Sequence, residues 1–188
     1  TLYCSTQNPH GVRNMLAQDI LRVPETAIRV VNYDVGGGFG LKGSAYPEDA
    51  LVLWASRHVG RPVKWSPLRN EALMGDTHGR DQVVHGELAL DAAGRVLAIR
   101  ARALHALGAY TSGTLAPVEM SMRLIPNVYD VQTFYLESSG VLTNTAPLSS
   151  YRGAGRPEAM ALIERLLNLA AEKLGMPPEE IRRRNFIR

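Results

Sequence analysis

The chain contains a single cysteine, Cys4, in 188 residues. That excludes an intrachain disulfide and any self-contained iron–sulfur or zinc-ribbon site, and it fits a reducing compartment. Metal chemistry, if any, has to come from another chain or from a bound cofactor. Long apolar runs are missing as well. None approaches the roughly 20 residues needed to cross a bilayer, and no secretory leader is visible. A strong charge of one sign is also absent: the net charge is +3, with lysines and arginines dispersed among acids. The densest basic run, RRR at 182–184, reads as a solvated helix end rather than a nucleic-acid site. His10, His58, His78, His85 and His105 show no metal-ligand spacing, and there is no GxSxG nucleophile elbow. No internal repeat or low-complexity segment stands out.

What is present is ordinary globular material, 45% hydrophobic and 21% charged, long enough for one domain or two small lobes. Thr1 stands where an initiator Met would, and TLYCSTQN reads as a strand running straight into a motif. Both features suggest a piece of a longer polypeptide. Residues 2–5 form a short strand candidate. Asn8 followed by Pro9 is a helix start, an Asx N-cap with Pro at the first helical position. Val12, Met15, Leu16 and Ile20 then recur at helical spacing through Leu21, and Pro24 ends the run. Residues 27–33 predict a strand. Pro47 opens a second helix with Leu51, Trp54, Ala55 and His58 on one face, closed by Gly60. Residues 63–66 predict another short strand.

Residues 82–90 and 95–107 predict a long antiparallel hairpin joined by Asp91-Ala92-Ala93-Gly94. Residues 108–126 are ambiguous. Residues 130–137 and 140–143 predict a further strand pair. Pro157 opens a third helix through Leu174, with Met160, Ile163, Leu166, Leu167 and Ala170 as its apolar face. Gly175 caps it, and Pro177-Pro178 begins a last short helix containing Ile181. The expected fold class is α+β, with mixed sheets, antiparallel hairpins and several packing helices.

Three polar stretches carry the candidate chemistry. DVGGGFGLKG at 34–43 lacks both the GxGxxG of a dinucleotide fold and the GK[ST] of a P-loop. Consecutive glycines nevertheless let several N–H groups converge on an anion, because no Cβ obstructs positive φ. The same residues could equally be a strained turn. SSYRGAGRPE at 149–158 places glycines just before a helix N-terminus, which favours negative charge. Arg152 and Arg156 add guanidinium forks suited to phosphate or a polar heterocycle, or they are merely exposed arginines on a turn. Ser5-Thr6-Gln7-Asn8 precedes the first helix, and N-capping accounts for Asn8 but not for Gln7. Cys4 reads as a small core residue.

In this order and spacing, STQN, GGGFGLKG and YRGAGRPE, followed by the closing GMPPEEIRRRNFIR, resemble the molybdenum-binding large subunit of the xanthine dehydrogenase/aldehyde oxidase family. The loop YRGAGR resembles that of the carbon monoxide dehydrogenase-like branch. The match spans essentially the whole chain, as a central fragment of the family's subunit. The chain is therefore expected to be a single molybdopterin-binding domain fragment over 1–188, or two lobes near 1–75 and 76–188.

The resemblance implies a molybdenum hydroxylase. Such an enzyme oxidises an aldehyde, an N-heterocycle or a related small substrate with water-derived oxygen. The cofactor would be molybdopterin, alone or as its cytosine dinucleotide. Electrons would leave through Fe–S and FAD subunits or domains elsewhere in a cytoplasmic complex. Gln7 matches the glutamine that reaches the metal and pterin region. Gly37, Gly38, Phe39 and Gly40 match the loop lying against the pterin, and Arg152 and Gly153 match the loop that fixes the cofactor. No residue is expected to ligate the metal directly. The catalytic base, a glutamate in the family, is expected outside this chain.

Three departures narrow the expectation. Gly43 stands where the xanthine-oxidising branch has a glutamate, and Ala154 where it has a purine-stacking phenylalanine. Gly153 replaces the copper-binding cysteine of true carbon monoxide dehydrogenases. An isolated fragment is expected to be inactive and to bind cofactor poorly. Two other readings stand beside this one: a non-catalytic ligand- or partner-binding domain, and a plain α+β scaffold whose glycine loops are only turns.

Overall fold

The computed structural model describes residues 1–111 and 115–188. They form two compact units, Thr1–Thr77 and His78–Arg188, each with its own apolar core.

In the first unit, β1 (Leu2–Tyr3) pairs in parallel with β2 (Val30–Val31), Leu2 lying opposite Val30. The strand expected over 27–33 shrinks to these two residues because β1 offers only two to pair with, and Glu25–Ala27 forms a short 3-10 turn instead. Helix α1 (Pro9–Asn14) starts as expected, with Asn8 Oδ1 accepting from the Gly11 N–H at 3.1 Å. Over Met15–Ile20 the helix widens to π spacing, and the Leu21 N–H reaches back to the Leu16 carbonyl at 2.8 Å. An extra residue per turn shifts the apolar stripe. Val12, Leu16 and Ala17 are fully buried while Ile20, expected on the same face, is exposed.

Helix α2 (Pro47–Val59) begins at Pro47 and stops at Gly60, which is left-handed at φ 68°. Ala50 and Leu53 pack on the core. Leu51, Trp54 and His58 share the opposite, solvent-exposed side, where the Trp54 ring stacks on His58 at 5.3 Å. Helix α3 spans Arg69–Gly75. The strand expected at 63–66 does not form: these residues are exposed and pair with no strand among the described residues.

The second unit is built on a three-stranded sheet, β3 (Gln82–Leu90), β4 (Val96–Gly108) and β5 (Thr133–Leu142), with β4 in the centre. The expected hairpin is present, Leu88 lying opposite Ile99. Its turn is fixed by Asp91, whose Oδ1 accepts from the Ala93 and Arg95 N–H groups at 2.9 and 2.8 Å. The expected strand pair over 130–143 is instead one strand, β5, which joins β4 in parallel. Gly140, expected to begin a second strand, lies inside β5, where a Cβ would fall 2.6 Å from Leu107 Cδ1. The glycine marks a close approach, not a reversal.

Parallel pairing requires a crossover, and α4 (Ala116–Arg123) lies within it. The ambiguous stretch 108–126 contains this helix, and its residues 112–114 lie outside the described residues.

Helix α5 (Arg156–Leu174) lies across the sheet, buries Ile163 and Leu167 completely, and ends at left-handed Gly175. Each such burial contributes about 1.5–3 kcal/mol. A Cβ on Gly86 of β3 would meet Leu162 Cδ1 at 2.7 Å, so strand and helix touch with no room to spare. Met160, expected on the apolar face, is exposed, and Ala159 is buried in its place.

Helix α6 (Pro178–Asn185) buries Ile181 and Asn185. Its arginines are tied to acids of the same chain: Arg182 to Glu164 at 2.6 Å, and Arg183 and Arg184 to Glu180 at 2.8 Å each. Among the described residues no helix is long and apolar enough to cross a membrane.

Candidate functional site: two glycine loops, one in each unit

In the first unit the STQN segment is stitched to the glycine loop. The buried Thr6 hydroxyl and the Gln7 N–H both donate to the Lys42 carbonyl at 3.0 Å. Asn8 Nδ2 donates to the Gly43 carbonyl at 3.2 Å, and Gln7 Oε1 accepts from the Gly40 N–H at 2.9 Å. Lys42 turns its ammonium inward, donating to Ser5 Oγ at 2.9 Å and to the Val35 carbonyl at 2.7 Å. It therefore clasps the two ends of its own loop rather than standing out as a phosphate hook. Gln7, which N-capping could not explain, is explained here.

The loop itself is left-handed at four positions: Gly36, Gly37, Phe39 and Gly40 have φ of 69°, 95°, 51° and 97°. Phe39 is the exception among them, since a side chain there is strained, and its ring is exposed. Glycine is required for space as well as for φ. A Cβ on Gly37 would lie 2.5 Å from the Phe39 ring, and one on Gly38 would lie 2.2 Å from Gln7 Oε1. The N–H groups of Gly36, Gly37 and Gly38 have no acceptor among the described residues. This is the condition for a backbone cradle that receives an anion or a polar ring edge. Beside the loop, burial pushes the Cys4 thiol up to about 11, so it remains a protonated, partly buried small side chain, as the sequence suggested.

In the second unit the loop between residues 149 and 156 is held at its start by a bridge to His78. The Ser149 N–H donates to the His78 carbonyl at 2.9 Å, and the His78 N–H donates to that of Pro147 at 3.0 Å. Gly153, Ala154 and Gly155 follow in succession with φ of 101°, 43° and 96°. The turn is closed by Ala154 N–H to Tyr151 O at 2.8 Å and Arg156 N–H to Gly153 O at 3.1 Å. Gly155 lies against α4, where a Cβ would stand 2.6 Å from both the Pro117 carbonyl and the Ser121 nitrogen. The loop thus leads directly into the N-terminus of α5 with Arg152 exposed on it.

Gln7, Gly37, Gly38, Phe39 and Gly40 are brought together in the first unit, and Arg152 and Gly153 share the loop of the second. Sequence reasoning missed Arg80. It lies just before β3, outside any glycine motif, yet its guanidinium stands 4.5 Å over the Tyr151 ring and donates to the Arg152 carbonyl. Its left-handed backbone, φ 66°, left no mark in the sequence. Glu158, its side chain 7% exposed, was missed as well, and His105, read only as lacking metal-ligand spacing, is buried.

A mixed α+β fold with a glycine loop in each unit, the first of which leaves the Gly36, Gly37 and Gly38 N–H groups without an acceptor among the described residues, suits a domain that holds a polar, anionic cofactor through its backbone. Residues 1–186 match the model of the molybdopterin cofactor-binding domain, and the chain belongs to that family, that of the molybdenum-binding subunits of the xanthine dehydrogenase/aldehyde oxidase type. It is 37% identical to the carbon monoxide dehydrogenase large chain of Hydrogenophaga pseudoflava, over all of this chain and 24% of that protein. It is 34% identical to subunit gamma of the 6-hydroxypseudooxynicotine dehydrogenase complex of Paenarthrobacter nicotinovorans, over 97% of this chain and 23% of that one. The structure of quinoline 2-oxidoreductase from Pseudomonas putida 86 superposes with a TM-score of 0.93 at 40% identity, covering 99% of this chain and 24% of that one. The chain thus spans about a quarter of the length of these relatives.

Proposed function

We propose that this chain is a molybdopterin-binding domain fragment, of two lobes, from a molybdenum hydroxylase. In this reading Gln7, Gly37, Gly38, Phe39 and Gly40 of the first lobe and Arg152 and Gly153 of the second hold the cofactor. The observation that carries it is the glycine loop, whose Gly36, Gly37 and Gly38 N–H groups lack acceptors among the described residues while Gln7 fixes Gly40. When bound, the cofactor supplies the two-electron redox chemistry. The residues of this chain bind and orient it, and Lys42 and Thr6 keep the cradle's shape. The base that activates the oxygen nucleophile is contributed from outside this chain.

The proposed substrate is an aldehyde, an N-heterocycle or a related small molecule. Gly43 offers no carboxylate and Ala154 no ring with which to recognise a purine, and Gly153 offers no thiolate for copper. The quinoline oxidoreductase, similar over nearly the whole chain, is named for a nitrogen heterocycle, which supports the heterocycle class. Electrons would pass to Fe–S and FAD subunits of a cytoplasmic complex. Relatives named as a subunit gamma and as a large chain support a heteromeric assembly.

The test is metal analysis and oxidised-pterin fluorescence on the active complex, followed by turnover of an aldehyde, heterocycle and acyl-thioester panel. Stoichiometric molybdenum and pterin are expected. Active preparations lacking both would sink the reading and favour a non-catalytic binding domain.

A further inference from the structure

Tyr151, Arg152 and Gly153 sit on an exposed loop with three consecutive left-handed residues. Of those three left-handed residues only Ala154 is strained at positive φ, and such a conformation persists only when its surroundings hold it. The turn's own hydrogen bonds, Ala154 to Tyr151 and Arg156 to Gly153, are local. Arg80 provides a hold from outside the loop, 72 positions away from Arg152 in the sequence. Its guanidinium makes three different interactions. It donates from Nη2 to the Arg152 carbonyl, lies 4.5 Å over the Tyr151 ring, and places Nε 3.7 Å from Glu158 Oε1. Glu158 is in the first turn of α5 with its side chain 7% exposed. Its carboxylate therefore anchors Arg80 from a desolvated position, where charge pairing is stronger than at the surface.

We infer that Arg80 is the positioning residue of the second loop. It fixes the carbonyl of Arg152 and the ring of Tyr151 so that the loop keeps the shape in which Arg152 and Gly153 meet the cofactor. The inference rests on the proposed cofactor role of that loop. A planar fork with a stackable face serves a carbonyl, a carboxylate and a ring at once in fixed geometry, which an ammonium, a point charge on a flexible stem, does less well. Arg80 touches the loop and not the reacting atoms, so its effect is on geometry.

The test compares wild type, Arg80→Ala and Arg80→Lys in the intact holoenzyme, with cofactor-free protein prepared in parallel. Amide hydrogen exchange in the cofactor-free protein reads the loop directly. The amides of Ala154 and Arg156 are expected to exchange about tenfold faster in Arg80→Ala, with the rest of the second unit unchanged. Molybdenum and pterin content of the holoenzyme is expected to fall about tenfold. Arg80→Lys should recover less than half of either, while added methylguanidinium should restore protection and loading to Arg80→Ala. Wild-type protection and wild-type loading in Arg80→Ala would overturn the inference, as would full recovery by Arg80→Lys. If Arg80→Ala does not fold, Tyr151→Leu removes the stacking partner at a partly exposed site, and unchanged exchange and loading there would also overturn it. Wild-type protein devoid of molybdenum and pterin would instead defeat the cofactor reading, and the exchange arm would still decide whether Arg80 holds the loop.

Discussion

Gln7 Oε1 and the Gly40 N–H are joined at 2.9 Å across 33 positions of sequence. Gly38 lies so close to the same carboxamide that a Cβ there would come within 2.2 Å of Gln7 Oε1. One side chain thus sets the path of the glycine loop from inside, while Lys42 ties the Ser5 and Val35 ends together. The Gln7 Nε2 group has no acceptor among the described residues. The glutamine divides its work: its oxygen shapes the loop and its amino group is available to a ligand.

That division predicts different outcomes for different replacements. Gln7→Ala removes both functions and is expected to lower pterin and molybdenum content of the holoenzyme about tenfold. Its cost in stability should be small, about 1 kcal/mol, because the bond is solvent-exposed. Gln7→Glu keeps an acceptor for Gly40 but loses the donor and adds a negative charge beside an anion cradle, so loading should fall as far as in Gln7→Ala. Oxidised-pterin fluorescence checks both. Full loading of Gln7→Glu would mean that Gln7 serves the loop alone.

Glycines at similar φ are predicted to differ according to what surrounds them. Gly36, at φ 69°, has nothing among the described residues within 4 Å of an added Cβ. Gly36→Ala should therefore cost only the left-handed penalty, about 1–2 kcal/mol. Gly155, at φ 96°, would drive its Cβ to 2.6 Å from backbone atoms of Pro117 and Ser121, which cannot swing aside as a side-chain tip can. Gly155→Ala should cost about 3 kcal/mol or more, because α4 and the loop must separate. Urea midpoints followed by far-UV circular dichroism would separate the two. Equal losses would contradict the packing of loop on α4.

Much of this was legible in the sequence where the determinant is local. Asn8-Pro9 marked the start of α1, Asp91 to Gly94 marked the hairpin turn, and the spacing of Ile163, Leu167 and Ala170 marked the buried side of α5. The three polar stretches were readable because glycine, glutamine and arginine are conspicuous in such order. The unreadable parts depend on distant partners. Gly140 reads as the start of a separate strand until Leu107 is seen to fill the space a Cβ would need. Asn185 reads as the end of a charged helix, yet it is buried, accepting from the Val96 N–H at 2.7 Å and donating to the Gly94 and Ile181 carbonyls at 2.8 and 2.7 Å. Its partners at Gly94 and Val96 are about ninety positions away, so no local pattern could identify it as the peg joining α6 to the hairpin turn. Arg80 was hidden for the same reason.

His105 makes acid sensitivity predictable. It lies on β4, 3% exposed, with Nε2 unpartnered among the described residues. Burial lowers its pKa below the usual histidine value, and the charge of Glu158 opposes that shift without cancelling it. The unfolded chain therefore binds the proton more readily than the folded one. The folded state has its full stability from this group above the unfolded pKa of about 6.5, and loses it as pH falls from there toward the lower folded value. The loss from one such group cannot exceed about 1.4 kcal/mol per pH unit. His105→Leu removes the titration, so its stability should vary less between neutral pH and pH about 5 than that of the wild type. The direction survives even if the leucine lowers stability at every pH, since the slope and not the level is read. Urea midpoints taken across that range would check it. A slope unchanged by the substitution would mean that the folded protein takes up the proton as readily as the unfolded chain, with Glu158 holding the imidazolium in the core.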